Sequence, residues 1–438
     1  MNLSSKILQK QIKMGFWPGF TMAMYPSQFA YRKLNIDLNK IWSNSSQVNL
    51  YYHIPFCKSK CPYCGFFSVT QNDDEVMMKY INKLNAQAQY YNEMFNKKII
   101  IKSICFGGGT PNHVPIKAYY NIFDNLSRMN VDFDASLEPS MEISPEIINE
   151  DYIKQLRQIG IKRLSLGVQS LDSRLRTSIN RSNNYDLFQL VNLIRKYDMN
   201  INIDVINGLV GQTPEMFIDT LEALMTFKPE TISVYPLAGN NSSMLNIGNN
   251  IMTNKEKYIL FDRFYQYLSD NGYYCESHVK FVKSNQTSTH QQKIYEYQGV
   301  ETLGFGCAAR SYNQYVHYSL EPTFNMCAAY SLLQDYMEKT YEEYEWFGIE
   351  MDEYELKSRF AIYGFLTNQL DADDYFVKFK SHFSDDFKEE IEIVIENGLV
   401  ERIDENQYVL TRKGRTYTDL VCMQFWSKKV RELYKESR

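Results

Sequence analysis

Six short apolar runs alternate with longer stretches of chain, and this alternation most limits how the chain can fold. They are rich in β-branched and aromatic residues, which favour strands, and lie at 48–56, 103–109, 134–140, 163–169, 201–209 and 231–237. The intervening stretches have helical periodicity, as at 75–97, 144–159, 184–198, 214–227 and 255–271. Repeated strand–helix units form right-handed crossovers between parallel strands. The sequence therefore predicts an α/β fold, a partial (β/α)6 barrel with its site at the carboxyl ends of the strands.

The remainder of the chain divides around this barrel. A polar stretch at 239–253 is followed by a helix and a further strand-like region at 299–318. From about 350 the pattern changes to helices, a two-strand ribbon in 399–411 and a final helix, which is typical of a winged-helix domain. We predict an N-terminal extension at 1–46, a barrel domain at 47–345 and a small winged-helix-like α+β domain at 346–438.

Composition excludes several classes of function. The net charge of -5 argues against nucleic acid as a partner, and the ribbon carries Glu401, Asp404 and Glu405, which favours a lid or docking domain over a DNA-binding one. No apolar run reaches the roughly 18 residues of a membrane span, so membrane insertion is not predicted. The other cysteines are too scattered for a disulfide framework, which predicts a cytoplasmic protein.

Three cysteines, Cys57, Cys61 and Cys64, follow the first predicted strand with the spacing C-x3-C-x2-C. Structural zinc sites usually have four ligands in closed pairs. No second Cys or His pair follows this loop, although His53 before it is a possible fourth ligand. Three thiolates can instead hold three irons of a [4Fe–4S] cluster and leave the fourth iron open for another ligand.

Small and polar residues stand at the ends of the next predicted strands. The turn Gly107–Thr110 follows the second strand, Glu138 lies in the third, Gln169 ends the fourth and Asp204 lies in the fifth. Glycines let the backbone approach a ligand closely, and free N–H groups bind polar or negative groups. Each residue alone is more often structural, but their succession at one edge of a sheet indicates a ligand site.

The cysteine spacing, with Tyr63 before the last cysteine, resembles the radical S-adenosylmethionine (SAM) superfamily. In that family the open iron binds the amino and carboxylate groups of SAM, whose reductive cleavage gives a 5′-deoxyadenosyl radical. The resemblance implies that Cys57, Cys61 and Cys64 hold a [4Fe–4S] cluster and that one or two molecules of SAM bind beside it. The SAM contacts that it implies are Tyr51, Tyr63, Gly108, Gly109, Thr110, Glu138, Gln169, Arg181, Asp204, Ala238 and Arg310.

The order of motifs narrows the resemblance. HIPFC, GGGTP, SLGVQS, NIDVINGLVGQT and GFGCAARS follow one another before residue 312, as in the porphyrin-handling HemN/HemW/ChuW/HutW branch. Oxygen-independent coproporphyrinogen III dehydrogenases of that branch carry a fourth cysteine where this chain has Phe66. Its heme chaperones carry CDF and a later HNxxYW, where this chain has CGFF and QQKIYE. The loop is most similar to that of ChuW/HutW-type heme-degrading methyltransferases (anaerobilin synthase).

This resemblance implies an anaerobic enzyme of iron acquisition that opens the heme macrocycle, transfers a methyl group from SAM, releases iron and leaves a linear tetrapyrrole. A HemW-type heme chaperone and an oxygen-independent coproporphyrinogen III dehydrogenase are the alternatives. Heme or a related tetrapyrrole would be the substrate, and a flavodoxin-type protein the reductant. His290 and His317 are candidate heme ligands, and Arg310, Arg32 and Lys33 are candidate partners of the propionates.

Overall fold

The computed structural model describes residues 5–13, 24–237, 252–285, 291–323 and 326–436. The strands are β1 (Arg32–Leu34), β2 (Gln47–Ile54), β3 (Phe56–Cys57), β4 (Val69–Thr70), β5 (Ile99–Gly108), β6 (Val131–Phe133), β7 (Ser140–Ile143), β8 (Arg163–Gln169), β9 (Asn200–Asn207), β10 (Thr231–Pro236), β11 (Tyr273–Ser277), β12 (Lys280–Lys283), β13 (Glu301–Phe305), β14 (Arg310–Tyr312), β15 (Val316–Ser319), β16 (Trp346–Glu350), β17 (Gln369–Asp371), β18 (Val400–Arg402) and β19 (Gln407–Leu410). The helices are α1 (Ser5–Lys13), α2 (Leu38–Trp42), α3 (Asp74–Asn92), α4 (Lys117–Ser127), α5 (Glu150–Ile159), α6 (Ser173–Ser178), α7 (Leu187–Lys196), α8 (Pro214–Met225), α9 (Asn254–Asp270), α10 (Gln291–Tyr297), α11 (Met326–Glu338), α12 (Glu353–Leu366), α13 (Ala372–Phe379), α14 (Phe383–Asp386), α15 (Lys388–Glu396), α16 (Arg412–Thr416), α17 (Thr418–Gln424) and α18 (Lys428–Glu436).

One large sheet organises the barrel region. Its fourteen strands follow the order β1-β16-β15-β14-β13-β2-β5-β7-β8-β9-β10-β12-β11, with β6 beside β5. The strands from β13 to β10 are all parallel to their neighbours, and antiparallel strands extend both edges. No pairing within the described ranges joins β1 to β11, so the sheet remains an open path. The predicted α/β fold with a partial barrel is confirmed.

The third predicted strand is displaced in the structure. Instead of continuing through 134–140, the chain turns at Asp134, whose carboxylate accepts from Ser136 N at 2.9 Å and whose carbonyl accepts from Leu137 N at 3.0 Å. Pro139 has no N–H to contribute to a strand ladder. The parallel strand β7 therefore begins only after that proline.

Successive side chains of β2 point alternately into the hydrophobic core and toward the site. Tyr52 points to the helices and stacks between Phe106 and Phe305, with ring centroids 5.1 and 4.7 Å away. Its neighbours Tyr51 and His53 point to the opposite face because successive side chains of a strand alternate. That face is the interior of the barrel, where the polar residues of the site collect.

The C-terminal region is a separate α+β unit with its own core. Helix α12 begins at Asp352, whose side chain accepts from Glu355 N at 2.9 Å. The predicted ribbon forms β18 and β19, which pair antiparallel beside β17. Tyr25 and Tyr31 from the N-terminal segment pack into this core. Strands β1 and β16 lie outside 47–345 but join the large sheet, so the domain limits remain a prediction.

Within the described ranges, no helix combines the length and the apolar character needed to cross a membrane.

Candidate radical SAM site

The cysteine loop is fastened at both ends. Cys57 ends β3, which pairs with β4 on the far side of the loop. Inside the loop Cys64 N donates to Cys61 O at 3.1 Å, which forms a turn between the last two cysteines. Thr110 Oγ1 donates to Cys57 Sγ at 3.4 Å. The loop thus lies directly against the glycine turn that follows β5.

Burial keeps the thiols of Cys57 and Cys64 protonated when no metal is bound. It raises the pKa of Cys57 above its usual range and the pKa of Cys64 to about 11. Iron binds the thiolate, so loading a cluster must release protons. Within the described ranges no three His, Cys, Asp or Glu side chains converge on a single ion. The C-x3-C-x2-C spacing of the three cysteines suits an iron–sulfur cluster, in which each cysteine holds a different iron.

The glycines of the turn Gly107–Thr110 have almost no room for side chains. Gly109 N donates to Ile54 O at 2.7 Å, so the turn continues the pairing of β5 with β2. A Cβ on Gly109 would lie 2.7 Å from the carbonyl carbon of Pro55. Gly108 has a φ of +110°, which side-chain-bearing residues rarely adopt. Glycine is therefore required at both positions by the backbone itself.

Glu142, which the sequence analysis did not single out, faces this turn from the carboxyl end of β7. Its Oε2 accepts from Gly108 N at 3.2 Å. Burial among protein groups and the neighbouring charge of Asp204 raise the pKa of Glu142 to about 7, although solvent reaches the carboxylate through the barrel mouth. Asp204 in turn accepts from Ser165 Oγ at 2.9 Å and from Asn202 Nδ2 at 2.6 Å.

Glu138 does not lie at this edge, and its assignment to the site is corrected. It precedes β7 and accepts a hydrogen bond from Asn200, the first residue of β9. Parallel strands start at one edge of the sheet and end at the other, so Glu138 and Glu142 lie at opposite ends. The sequence does indicate that Glu142 lies at a strand end. It stands in SMEISP (140–145), where Pro145 marks the end of the strand.

Gln169, Arg181 and Tyr63 complete the carboxyl edge near the cysteine loop. Gln169 ends β8 with a φ of +68°. A Cβ on Gly167 would lie 3.0 Å from Gln169 Nε2 and 3.8 Å from Arg181 Nη2, so these two side chains are neighbours. Arg181 Nη1 also donates to Ser144 Oγ at 3.0 Å.

Tyr51 and His53 support the loop from the barrel interior. Tyr51 Oη lies 3.2 Å from His53 Nδ1, and His53 Nε2 lies 3.0 Å from Phe67 O. The carbonyl accepts from Nε2, which leaves Nδ1 to accept from the tyrosine. Burial lowers the pKa of His53 to about 4, so the ring is neutral. Both nitrogens have partners, and His53 is not placed as a fourth ligand.

Arg310 and His317 lie on the neighbouring strands β14 and β15. Arg310 contacts Gln28 Oε1 and Met24 Sδ. Burial, with the charge of Arg310, lowers the pKa of His317 to about 4. Both side chains therefore belong to the interior, next to the N-terminal segment.

Arg32 and Lys33 are not brought into the site. Arg32 pairs with Glu436 at 3.0 Å and Lys33 pairs with Glu345, both at the surface. Ala238 and His290 lie outside the described residues.

The raised pKa of Glu142 predicts a stability that falls as pH rises. The carboxyl titrates near 4.5 when unfolded and near 7 when folded, so the folded chain binds more protons between these values and loses stability across that window. We expect Glu142→Gln to remove this dependence, with a gain of about 1 kcal/mol near pH 8 after screening by solvent. Thermal unfolding of cluster-free protein from pH 5 to 8 measures the effect. Parallel pH profiles for the two proteins would contradict it.

The cysteine loop, the glycine turn and the strand-end carboxylates form one site at the carboxyl edge of the parallel strands. Residues 51–224, which contain all of them, match the family model of the radical SAM superfamily. Over these residues the chain is similar to the radical SAM superfamily. This match confirms the predicted cofactors, a [4Fe–4S] cluster and SAM.

Two known proteins and one solved structure are similar to this chain. The oxygen-independent coproporphyrinogen III oxidase of Escherichia coli (strain K12) is 27% identical over 402 residues, 86% of this chain and 85% of that protein. The heme chaperone HemW of Buchnera aphidicola subsp. Acyrthosiphon pisum (strain APS) is 30% identical over 191 residues, 43% of this chain and 50% of that protein. The structure of coproporphyrinogen III oxidase (HemN) from Escherichia coli matches with a TM-score of 0.80 at 23% identity, covering 95% of this chain and 98% of that one. The shared fold therefore includes the C-terminal region.

The residues of the radical SAM site fit the two cofactors. Three cysteines in one loop would hold three irons and leave one for SAM. The turn Gly107–Thr110 lets a ligand approach the backbone, and Glu142 with Asp204 offers negative charge to a cationic ligand such as SAM. These individual contacts remain predictions.

Proposed function

We propose that this protein is a radical SAM enzyme that acts on a tetrapyrrole with propionate side chains and oxidises coproporphyrinogen III without oxygen. The main support is that similarity to a coproporphyrinogen III oxidase runs through 86% of this chain. It extends well beyond the radical SAM domain at 51–224. A large, flat substrate needs such additional surface. A cytoplasmic location and a flavodoxin-type reductant remain predictions.

The proposed reaction converts a propionate side chain to a vinyl group. A hydrogen atom leaves the β-carbon of the propionate, the carboxyl group leaves as CO2, and one electron passes to an external acceptor. When bound, the reduced cluster and SAM supply the 5′-deoxyadenosyl radical that takes the hydrogen atom. The chain itself would bind and orient the cofactor: Glu142 and Asp204 would offer negative charge to the cationic part of SAM, and the Gly107–Thr110 turn would let it approach the backbone.

Phe66 supports a second candidate, the opening of heme with methyl transfer. It stands where the dehydrogenases carry a fourth cysteine, and it is 65% exposed, so it does not replace a buried ligand. The relatives nevertheless support the two alternatives, coproporphyrinogen oxidation and heme delivery, better than the heme-opening methyltransferase that the loop sequence indicated. We therefore rank heme opening second.

One anaerobic experiment separates these functions. Reduced enzyme and SAM are incubated in parallel with coproporphyrinogen III and with heme, and the tetrapyrroles are identified by mass spectrometry. We expect vinyl-bearing product, CO2 and 5′-deoxyadenosine from the first incubation and intact heme from the second. A methylated linear tetrapyrrole with free iron would establish heme opening instead. Transfer of heme to an apo-protein without SAM cleavage would establish a chaperone.

A further inference from the structure

Four charged side chains meet in the interior between the barrel, the N-terminal segment and α12. We call Lys293, Glu296, Arg310 and Arg359 the cationic cluster. Lys293 Nζ lies 3.0 Å from Glu296 Oε2, and Arg359 Nη2 lies 3.7 Å from Glu296 Oε1. Tyr363 Oη also donates to Oε1 at 3.2 Å. Two cationic side chains, Lys293 and Arg359, therefore share one carboxylate, and the cluster keeps an excess of positive charge.

Arg359 is the least satisfied member of the cationic cluster. It is 3% exposed, and none of its three guanidinium nitrogens has a hydrogen-bond partner. Its guanidinium carbon lies 2.9 Å from the ring centroid of Tyr312 and 4.6 Å from that of Tyr363. Contacts with aromatic faces offset only part of the cost of burying a charge. Its one ion pair, with Glu296, is long and is shared with Lys293, so the guanidinium keeps hydrogen-bond donors for a second anion.

Arg310 has no anionic partner either. It is partly exposed, and its contacts are the neutral amide of Gln28 and the thioether of Met24, a weak acceptor. No described carboxylate forms an ion pair with it. The segments outside the described ranges contain no Asp or Glu, so their side chains add no carboxylate.

The cationic cluster borders the radical SAM site. A Cβ on Gly304 would lie 2.5 Å from Arg310 O, and Gly304 is the partner of Tyr51 where β13 pairs with β2, so Arg310 lies two strands from Tyr51 in the sheet. On its other side Arg310 neighbours His317, whose Nδ1 is buried without a hydrogen-bond partner. Arg310 is the half-buried arginine of the cluster, whereas Arg359 is buried.

We propose that the cationic cluster binds a carboxylate of the substrate, with Arg310 in contact and Arg359 supplying charge from behind. This inference rests on the proposed function for the identity of that group, a tetrapyrrole propionate. SAM also carries a carboxylate, but the radical SAM resemblance assigns that group to the open iron beside the cysteine loop. The propionate is therefore the favoured source.

Binding without turnover tests this directly. Coproporphyrin III and its tetramethyl ester are titrated into cluster-loaded protein without SAM, and binding is followed by porphyrin fluorescence. We expect Arg310→Gln to weaken binding of the acid by at least about 30-fold and Arg359→Gln by about 10-fold. Arg359→Lys, which keeps the charge, should bind within about threefold of wild type. The ester should bind all variants alike, and Arg128→Gln, at an exposed surface pair, should match wild type.

Two results would overturn the inference while leaving the proposed function intact. One is wild-type protein that binds acid and ester equally. The other is weaker SAM binding, measured by equilibrium dialysis, in Arg310→Gln with unchanged binding of coproporphyrin III, which would assign the cluster to the SAM carboxylate. If wild-type protein binds neither coproporphyrin III nor heme, the proposed function fails instead. Thermal unfolding should show that Arg359→Gln keeps most of the wild-type stability, since Glu296 retains its ion pair with Lys293.

Discussion

Replacing any one of Cys57, Cys61 or Cys64 with Ala will reduce SAM cleavage by at least about 1000-fold, a change of about 4 kcal/mol in the barrier. The three cysteines occupy one loop that β3 and β4 fasten at its base. Two remaining cysteines cannot hold three irons, so the cluster should be lost or degraded. Anaerobic assays of 5′-deoxyadenosine, with iron and sulfide content measured on the same samples, report both effects.

Cys422→Ala is the matched control for these variants. Cys422 is a buried cysteine of the C-terminal core, far from the loop in sequence. We expect it to retain iron, sulfide and SAM cleavage, with at most a modest loss of stability. A variant lacking all three loop cysteines that still cleaves SAM would refute the assignment of the cluster.

Gly109→Ala will strongly weaken SAM binding and destabilise the cluster. Its Cβ would lie 2.7 Å from Pro55 C, 2.8 Å from Phe56 O and 2.9 Å from Ile54 O, all backbone atoms that cannot swing aside. Relieving these contacts must break the Gly109 N to Ile54 O hydrogen bond and shift the strand that leads into Cys57. We expect at least about 100-fold weaker SAM binding by equilibrium dialysis.

Gly65→Ala tests whether this effect is specific. Gly65 lies in the same cysteine loop, beside Cys64, but nothing lies within 4 Å of a Cβ built there. We expect cluster content and SAM affinity close to wild type. If Gly109→Ala bound SAM as tightly as Gly65→Ala, the close approach of the turn to the loop would not matter for the site.

Local patterns in the sequence predicted the architecture well because strands and helices differ in their periods. Where the pattern was ambiguous, the chemistry of the backbone determined where a strand begins. The run 134–140 looks apolar enough for a strand, but the turn at Asp134 and the missing N–H of Pro139 delay the strand to Ser140. Because the strand begins later, Glu138 lies at the amino edge of the sheet, and Glu142 lies at the carboxyl edge, where the site is. A shift of a few residues was enough to misassign a site residue.

Other parts of the site lay beyond any local pattern. The cysteines and the glycine turn carry their own spacing and were found directly. The cationic cluster combines residues from α10, β14 and α12 with the N-terminal segment, and no spacing in the chain relates them. The absence of a partner for Arg359 appears only once burial and hydrogen bonds are known. Long-range packing, not residue type, creates that feature.

The most direct test of the central proposal follows a hydrogen atom from the substrate. Coproporphyrinogen III deuterated at the β-carbons of its propionates is incubated anaerobically with reduced enzyme and SAM, and the 5′-deoxyadenosine is analysed by mass spectrometry. We predict that it carries deuterium and that vinyl groups form in step. Unlabelled 5′-deoxyadenosine with the coproporphyrinogen recovered unchanged would contradict the proposal.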